Sequence, residues 1–163
     1  MEEKNNPYAT PNAVVRDVAS EEGFGDLKLF TSQGRLGRLR YLLYTLGVTL
    51  VGGILAALLA LIPVVGVFLA AIIYIGLLVI TFFLTIQRCH DFNATGWFSL
   101  VILIPIVSLV FYFIPGTKAS NKYGLQPPPN SKGVKIGAFL ILAFFVIAIA
   151  ASILMPLLVQ PQG

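Results

Sequence analysis

No aspartate, glutamate, lysine, arginine or histidine occurs from residue 41 through residue 87, a charge-free run of 47 residues in a chain of 163. Two more such runs, residues 92–117 and 136–163, are 26 and 28 residues long. A helix needs about 20 predominantly apolar residues to cross roughly 30 Å of hydrocarbon. The first run therefore has room for two crossings and each of the others for one. One unbroken helix through the first run is excluded, because its 47 residues at a rise of about 1.5 Å would extend about 70 Å.

A soluble alternative fails on composition. Only 11% of the residues are charged and 57% are hydrophobic, whereas a soluble domain carries about a quarter charged residues. Helices packed in soluble layers need polar outer faces, and most of this chain has none. The reading is an all-α integral membrane protein, a compact bundle of four transmembrane helices at about 41–62, 64–86, 97–114 and 134–159. Pro63 divides the first run into a tight hairpin, and Pro105 interrupts the third span, which is predicted to be kinked or re-entrant. Pro127-Pro128-Pro129 is a stiff connection to the last span. Small residues spaced by four, Gly53 and Ala57 or Gly52, Ala56 and Ala60, are expected to let the first span approach the second closely, and Gly133 and Gly137 form a weaker signal of the same kind.

Charge is divided unevenly. Residues 1–26 carry a net charge of −4, which reads as a flexible acidic cytoplasmic tail, and the rest of the chain carries +8. The bases flank the apolar runs, as expected for topology control and for contact with anionic phospholipid. A nucleic-acid partner would call for a basic stripe on a soluble face, so none is expected. The single cysteine, Cys89, excludes an intrachain disulfide and multi-cysteine zinc sites; no metal or cofactor is expected. The first span is expected to act as the insertion signal, with no cleavable leader before it.

With a cytoplasmic N-terminus and four full crossings, Lys28, Arg35, Arg38, Arg40 and Arg88 lie inside, but Lys118, Lys122, Lys132 and Lys135 lie outside, against the positive-inside rule. A turn at Ile104-Pro105 that returned the third segment to its starting side would remove the conflict, provided protein shields its backbone. Eighteen residues suit one crossing better than two halves, so four full crossings is the leading expectation.

The polar candidates cluster near the cytoplasmic interface. Arg35, Arg38 and Arg88 are candidates for headgroup or partner contact, since two guanidinium forks can hold a phosphate. The competing and favoured reading has Asp91 pairing with Arg35 or Arg38 and pinning the loop. His90 and Asp91 are adjacent, and neighbours on a helix do not face each other as a relay, so no catalytic residue is assigned. Trp97 reads as an interfacial anchor.

Three motifs resemble one family. Gly34-Arg35 with Arg38 and Tyr41 is similar to a Phe-x-Gly-Arg-x-x-Arg-x-x-Tyr/Trp pattern. Arg88-Cys89-His90-Asp91 followed by Thr95-Gly96-Trp97-Phe98 is similar to Arg-Leu-His-Asp followed by Ser-Gly-Trp-Trp. Gly116, then Asn121-Lys122-Tyr123-Gly124 and Pro127, completes the order. Over about residues 27–128 the chain resembles domain of unknown function 805, the small YhaH-like inner-membrane proteins of bacteria. Two departures stand out, Arg40 in place of a frequent glutamate and Gln126 in place of a common aspartate. Residues 129–163 add a linker and a C-terminal span beyond the usual core.

The resemblance implies a multi-pass location in the bacterial inner membrane and makes His90, Asp91, Asn121 and Gly124 a structural polar motif. It implies no reaction. The expected function is a non-enzymatic scaffold or accessory protein whose interfacial arginines contact anionic lipid or a partner, as a homo-oligomer or with other membrane proteins. A small-solute transporter or channel is the alternative, and an enzyme acting on a lipid-linked substrate the second; the absence of ionisable residues within the expected hydrocarbon argues against ion-coupled transport.

Overall fold

The structure, a computed structural model, describes residues 23–159. The expected acidic tail falls almost wholly outside the described residues. The chain forms α1 (Arg38–Leu59), α2 (Val65–Asp91), a 3₁₀ helix (Gly96–Leu103), the short α3 (Pro105–Ser108) and α4 (Val110–Phe113), and α5 (Lys132–Val159). Among the described residues three helices, not four, are long and apolar enough to cross a membrane. At about 1.5 Å per residue, the 22, 27 and 28 residues of α1, α2 and α5 reach at least the roughly 30 Å of a hydrocarbon core.

α1 and α2 are an antiparallel hairpin. Tyr41 meets Thr85 at one end, Gly52 meets Leu77 in the middle, and Gly66 meets Leu59 at the turn. Of the small residues expected to serve this contact, Gly52 is buried against Leu77, while Gly53 has open space beside it. The turn is tight enough to place Val64 at φ 62° and ψ −66°, with the Val65 N–H donating to the Pro63 carbonyl at 2.7 Å. Such a γ-turn is strained for a β-branched residue. Gly66 is required beside it, because a Cβ there would run into the Leu59 carbonyl. Gly66→Ala is accordingly expected to lower stability by about 1–3 kcal/mol, read as a lower unfolding midpoint in detergent titrated with dodecyl sulfate; an unchanged midpoint would contradict the tight turn.

α5 runs parallel to α1. Gly137 lies against Leu43 and Gly47 against Ile141, so the two helices advance together and begin at the same end of the bundle. The Arg40 guanidinium reinforces this by donating to the carbonyls of Pro128 and Pro129, which ties the proline stretch to the first turn of α1.

The expectation of one helix through 97–114 is corrected. Eight residues wind as a 3₁₀ helix, the chain extends at Ile104 (φ −108°, ψ 99°), and two short α-helical turns follow. Pro105 is the first residue of α3, where its missing N–H costs nothing but prevents the preceding helix from continuing. The segment leaves from the C-terminal end of α2 and comes back to it. Gly96 packs on Ile86 and His90 as the chain departs, and on return the Thr117 N–H donates to the Asp91 carbonyl at 2.8 Å. The second and third polar motifs, which full crossing would have placed at opposite ends, therefore share one end.

Burial is inverted relative to a soluble protein. The largest side chains sealed from the surface include Arg88, Gln87 and Thr85 with Leu36 and Leu84, while Phe68, Ile106, Phe113 and Phe139 are broadly exposed. Lipid is a good solvent for the exposed set, so close packing and hydrogen bonds inside, not withdrawal of apolar surface from water, hold the helices. The Tyr41 and Thr85 hydroxyls share a hydrogen bond of 3.1 Å, the Thr45 and Tyr112 hydroxyls another of 3.1 Å, and the two tyrosine rings pack with centroids 5.1 Å apart.

Candidate functional site

α2 remains helical through Arg88, Cys89, His90 and Asp91, four residues past the end expected for the second span plus one glutamine. It stops at Phe92 because Asn93 adopts φ 62°. The Asn93 N–H then donates to the His90 carbonyl and the Ala94 N–H to the Cys89 carbonyl, closing the helix end as a Schellman turn. Helical spacing puts Arg88 and Asp91 on one face, three residues apart, and the Asp91 carboxylate turns back to Arg88 Nη1 at 2.5 Å.

The second partner comes from outside the helix. Arg35 lies in the irregular stretch before α1 and reaches the other Asp91 oxygen through Nη2 at 3.2 Å. The positive φ of Gly34, 88°, lets the chain turn just before Arg35, and the Leu36 N–H fixes this stretch by donating to the Gln87 carbonyl at 3.1 Å. Gln87 adds two bonds of 2.6 Å from its side-chain nitrogen to the carbonyls of Lys28 and Thr31. Asp91 thus pairs with Arg35 and Arg88; the expected alternative pairing with Arg38 is not made.

Both guanidinium groups are withdrawn from the surface, with Arg35 3%, Arg88 0% and Asp91 4% exposed. Arg88 donates through Nε to the Phe111 carbonyl at 2.9 Å, through Nη1 to the Leu36 carbonyl at 3.4 Å, and through Nη2 to the Ile114 carbonyl. The Phe111 and Ile114 carbonyls belong to the returning segment, whose broken helix leaves them without intrahelical donors, and the Leu36 carbonyl precedes α1. Arg35 donates to the carbonyls of Ala119 at 2.7 Å and Gly124 at 3.2 Å and to the Thr117 carbonyl at 2.6 Å. One carboxylate balances two arginines, and backbone oxygens take up most of the remaining donors.

Thr117 is the junction. Its hydroxyl accepts from Arg35 at 2.8 Å and from Asn121 Nδ2 at 2.9 Å, and donates to the Asp91 carbonyl at 3.0 Å. Asn121 also donates to the His90 carbonyl at 2.8 Å and accepts from the Tyr123 N–H at 2.9 Å. Asn121 and Gly124 exchange a pair of backbone hydrogen bonds of 3.0 Å, a turn that needs the φ of 123° at Gly124. Tyr123 is delivered onto His90, their rings stacked at 3.7 Å, and His90 Nδ1–H donates to the Gly34 carbonyl at 3.3 Å.

The sequence-derived candidates therefore divide. Arg35, Arg88, His90, Asp91, Asn121 and Gly124 converge in one polar centre that joins three segments. Arg38 is exposed on the rim, and Trp97 is 78% exposed where the 3₁₀ helix begins. Thr117, Gln87 and Tyr123 were not named as candidates; the signal available was that Thr117 and Gln87 stand directly beside motif residues and Tyr123 lies inside the third motif. Among the described residues no three His, Cys, Asp or Glu side chains gather as a metal site would require.

Residues 29–125 match the family described as "Protein of unknown function (DUF805)". The chain belongs to this family. The inner membrane protein YhaI of Escherichia coli K12 is 30% identical over 98 residues, covering 58% of this chain and 83% of that protein, and the same figures hold for YhaI of Escherichia coli O157:H7. No solved structure matches. The DUF805 region contains every residue of the polar centre and ends before α5. This DUF805 protein is a multi-pass protein of the bacterial inner membrane.

Proposed function

We propose that this DUF805 protein is a non-enzymatic scaffold or accessory protein of the inner membrane, whose cytoplasmic basic face holds anionic lipid or a membrane partner. One observation carries the reading. Every lysine and arginine among the described residues, from Lys28 to Lys135, sits at the single end of the bundle where α1 and α5 begin and α2 ends.

The positive-inside rule puts that end in the cytoplasm. α1 then leads outward, α2 returns, residues 96–114 dip in and come back, and α5 leads outward. The dip suits about half the bilayer, since the eight residues of the 3₁₀ helix at about 2 Å each span about 16 Å of a core roughly 30 Å thick. The ionisable groups at the heart of the chain are engaged in holding segments together, which favours a structural over a catalytic use.

Single-cysteine variants in a Cys89→Ala background test the topology. Arg38→Cys and Lys122→Cys are expected to react with an impermeant maleimide only when the cytoplasmic side is opened, and Leu61→Cys in intact spheroplasts. Labelling of positions 38 and 122 from opposite sides would remove the re-entrant arrangement. For the lipid role, reconstituted protein is expected to select spin-labelled phosphatidylglycerol over phosphatidylcholine, with the selection weakening as salt screens the face. Equal selection of the two lipids would defeat it.

A further inference from the structure

We propose that two adjoining cavities beside Arg38 form a binding site for one anionic phospholipid, with its phosphate held by Arg38, Lys118 and Arg40 and an acyl chain laid along Leu39, Leu42 and Tyr112. The proposal rests on the cytoplasmic basic face argued above and narrows that face to one place.

The first cavity, of about 220 Å³, lies between the start of α1, the turn at residues 116–118 and the proline stretch. Three bases line it. Its one acid, Asp91, already has both oxygens engaged, by Arg35 and by Arg88. Arg38 is exposed and makes a single long bond, to the Phe113 carbonyl at 3.5 Å, so most of its donor fork is free.

Arg40 supplies the second, independent observation. It is only 5% exposed, and its two terminal nitrogens are spent on Pro128 and Pro129, yet its Nε–H has no acceptor in the protein. A buried donor left unpaired is costly. Arg40 lines the same cavity as Arg38, and two planar guanidinium groups on one cavity are suited to phosphate.

The second cavity separates a lipid from a free anion. It measures about 360 Å³, shares Arg38 and Asn130 with the first, and continues along Leu39, Leu42 and Tyr112. Leu42 lies one helical turn beyond Arg38 along α1, in the direction of the bilayer centre. The lining passes from basic to apolar over that turn, the order in which a phospholipid passes from headgroup to chain. Inorganic phosphate would use only the first cavity.

The full-length protein in detergent, titrated with phosphatidylglycerol, phosphatidylcholine or inorganic phosphate, supplies the test, with bound lipid counted by native mass spectrometry. One phosphatidylglycerol per chain should bind saturably. Arg38→Ala/Lys118→Ala should weaken it at least about tenfold, while Lys122→Ala/Lys135→Ala, which removes equal charge elsewhere on the face, should change it less than about twofold. All four side chains are exposed or at the rim, and an unchanged unfolding temperature without lipid establishes that the variants fold. Phosphatidylcholine binding as tightly, or inorganic phosphate binding with the same residue dependence while phosphatidylglycerol does not, overturns the lipid site. Equal weakening in both double variants overturns the site but leaves the diffuse basic face standing. Loss of lipid selection in reconstituted wild-type protein removes the face as well.

Discussion

Asp91→Asn is expected to destabilise the folded protein by about 3–5 kcal/mol. Arg35 and Arg88 are sealed from water and share this one carboxylate, at 3.2 Å and 2.5 Å. Asparagine keeps the size of the side chain but removes its charge, leaving two buried cations facing each other. Breaking a buried pair costs far more than the pair is worth relative to an apolar replacement, because the desolvated partner stays behind. Dodecyl sulfate titration of the purified protein measures the loss. Adding Arg88→Met to Asp91→Asn should recover part of it, since one orphaned cation is removed. A change below about 1 kcal/mol in Asp91→Asn would mean the ion pairs do not hold the fold.

Gly116→Ala is expected to cost about 2–3 kcal/mol although it adds only a methyl group. A Cβ at residue 116 would fall on the Asp91 carboxylate, inside any normal contact distance from both oxygens and their carbon. A free carboxylate would swing aside cheaply. This one is held from two sides by arginine, and Thr117, the next residue, is bonded to the Asp91 backbone twice, by its N–H at 2.8 Å and its hydroxyl at 3.0 Å. Coupling identifies the cause. In an Asp91→Ala background the collision partner is gone, so Gly116→Ala should then cost much less than in the wild type. Full additivity of the two substitutions would place the effect elsewhere.

The sequence was informative wherever the deciding physics is local. Charge-free runs specified lipid as solvent, and Pro63 specified the hairpin. Hydropathy could not choose between crossing and returning for residues 97–114, because 18 apolar residues satisfy either course and the decision lies in bonds from Thr117 and Asn121 back to the end of α2. The choice between Arg35 and Arg38 as a partner of Asp91 was open for the same reason, and Arg88 was not named as one. Arg35 stands on a segment without regular structure, and only its long-range bonds through Leu36 and Gln87 fix where it points. The polar end of α2 looked like a loop, since Gln87, Arg88, His90 and Asp91 suit water; in the fold Arg88 and Asp91 are instead buried together with Arg35.

The wiring of Arg35 also imposes an order on manufacture. Its backbone acceptors at Thr117, Ala119 and Gly124 lie 82, 84 and 89 residues downstream, so it leaves the ribosome long before they exist. During that interval Arg35 has to wait in water, and Arg88 and Asp91 reach the membrane surface with the dipping segment not yet returned. A chain broken off before residue 117 carries the charges without the groups that enclose them. Closure of the centre therefore distinguishes finished molecules from truncated ones, and an unclosed end at the membrane surface is the kind of exposed defect on which proteases act.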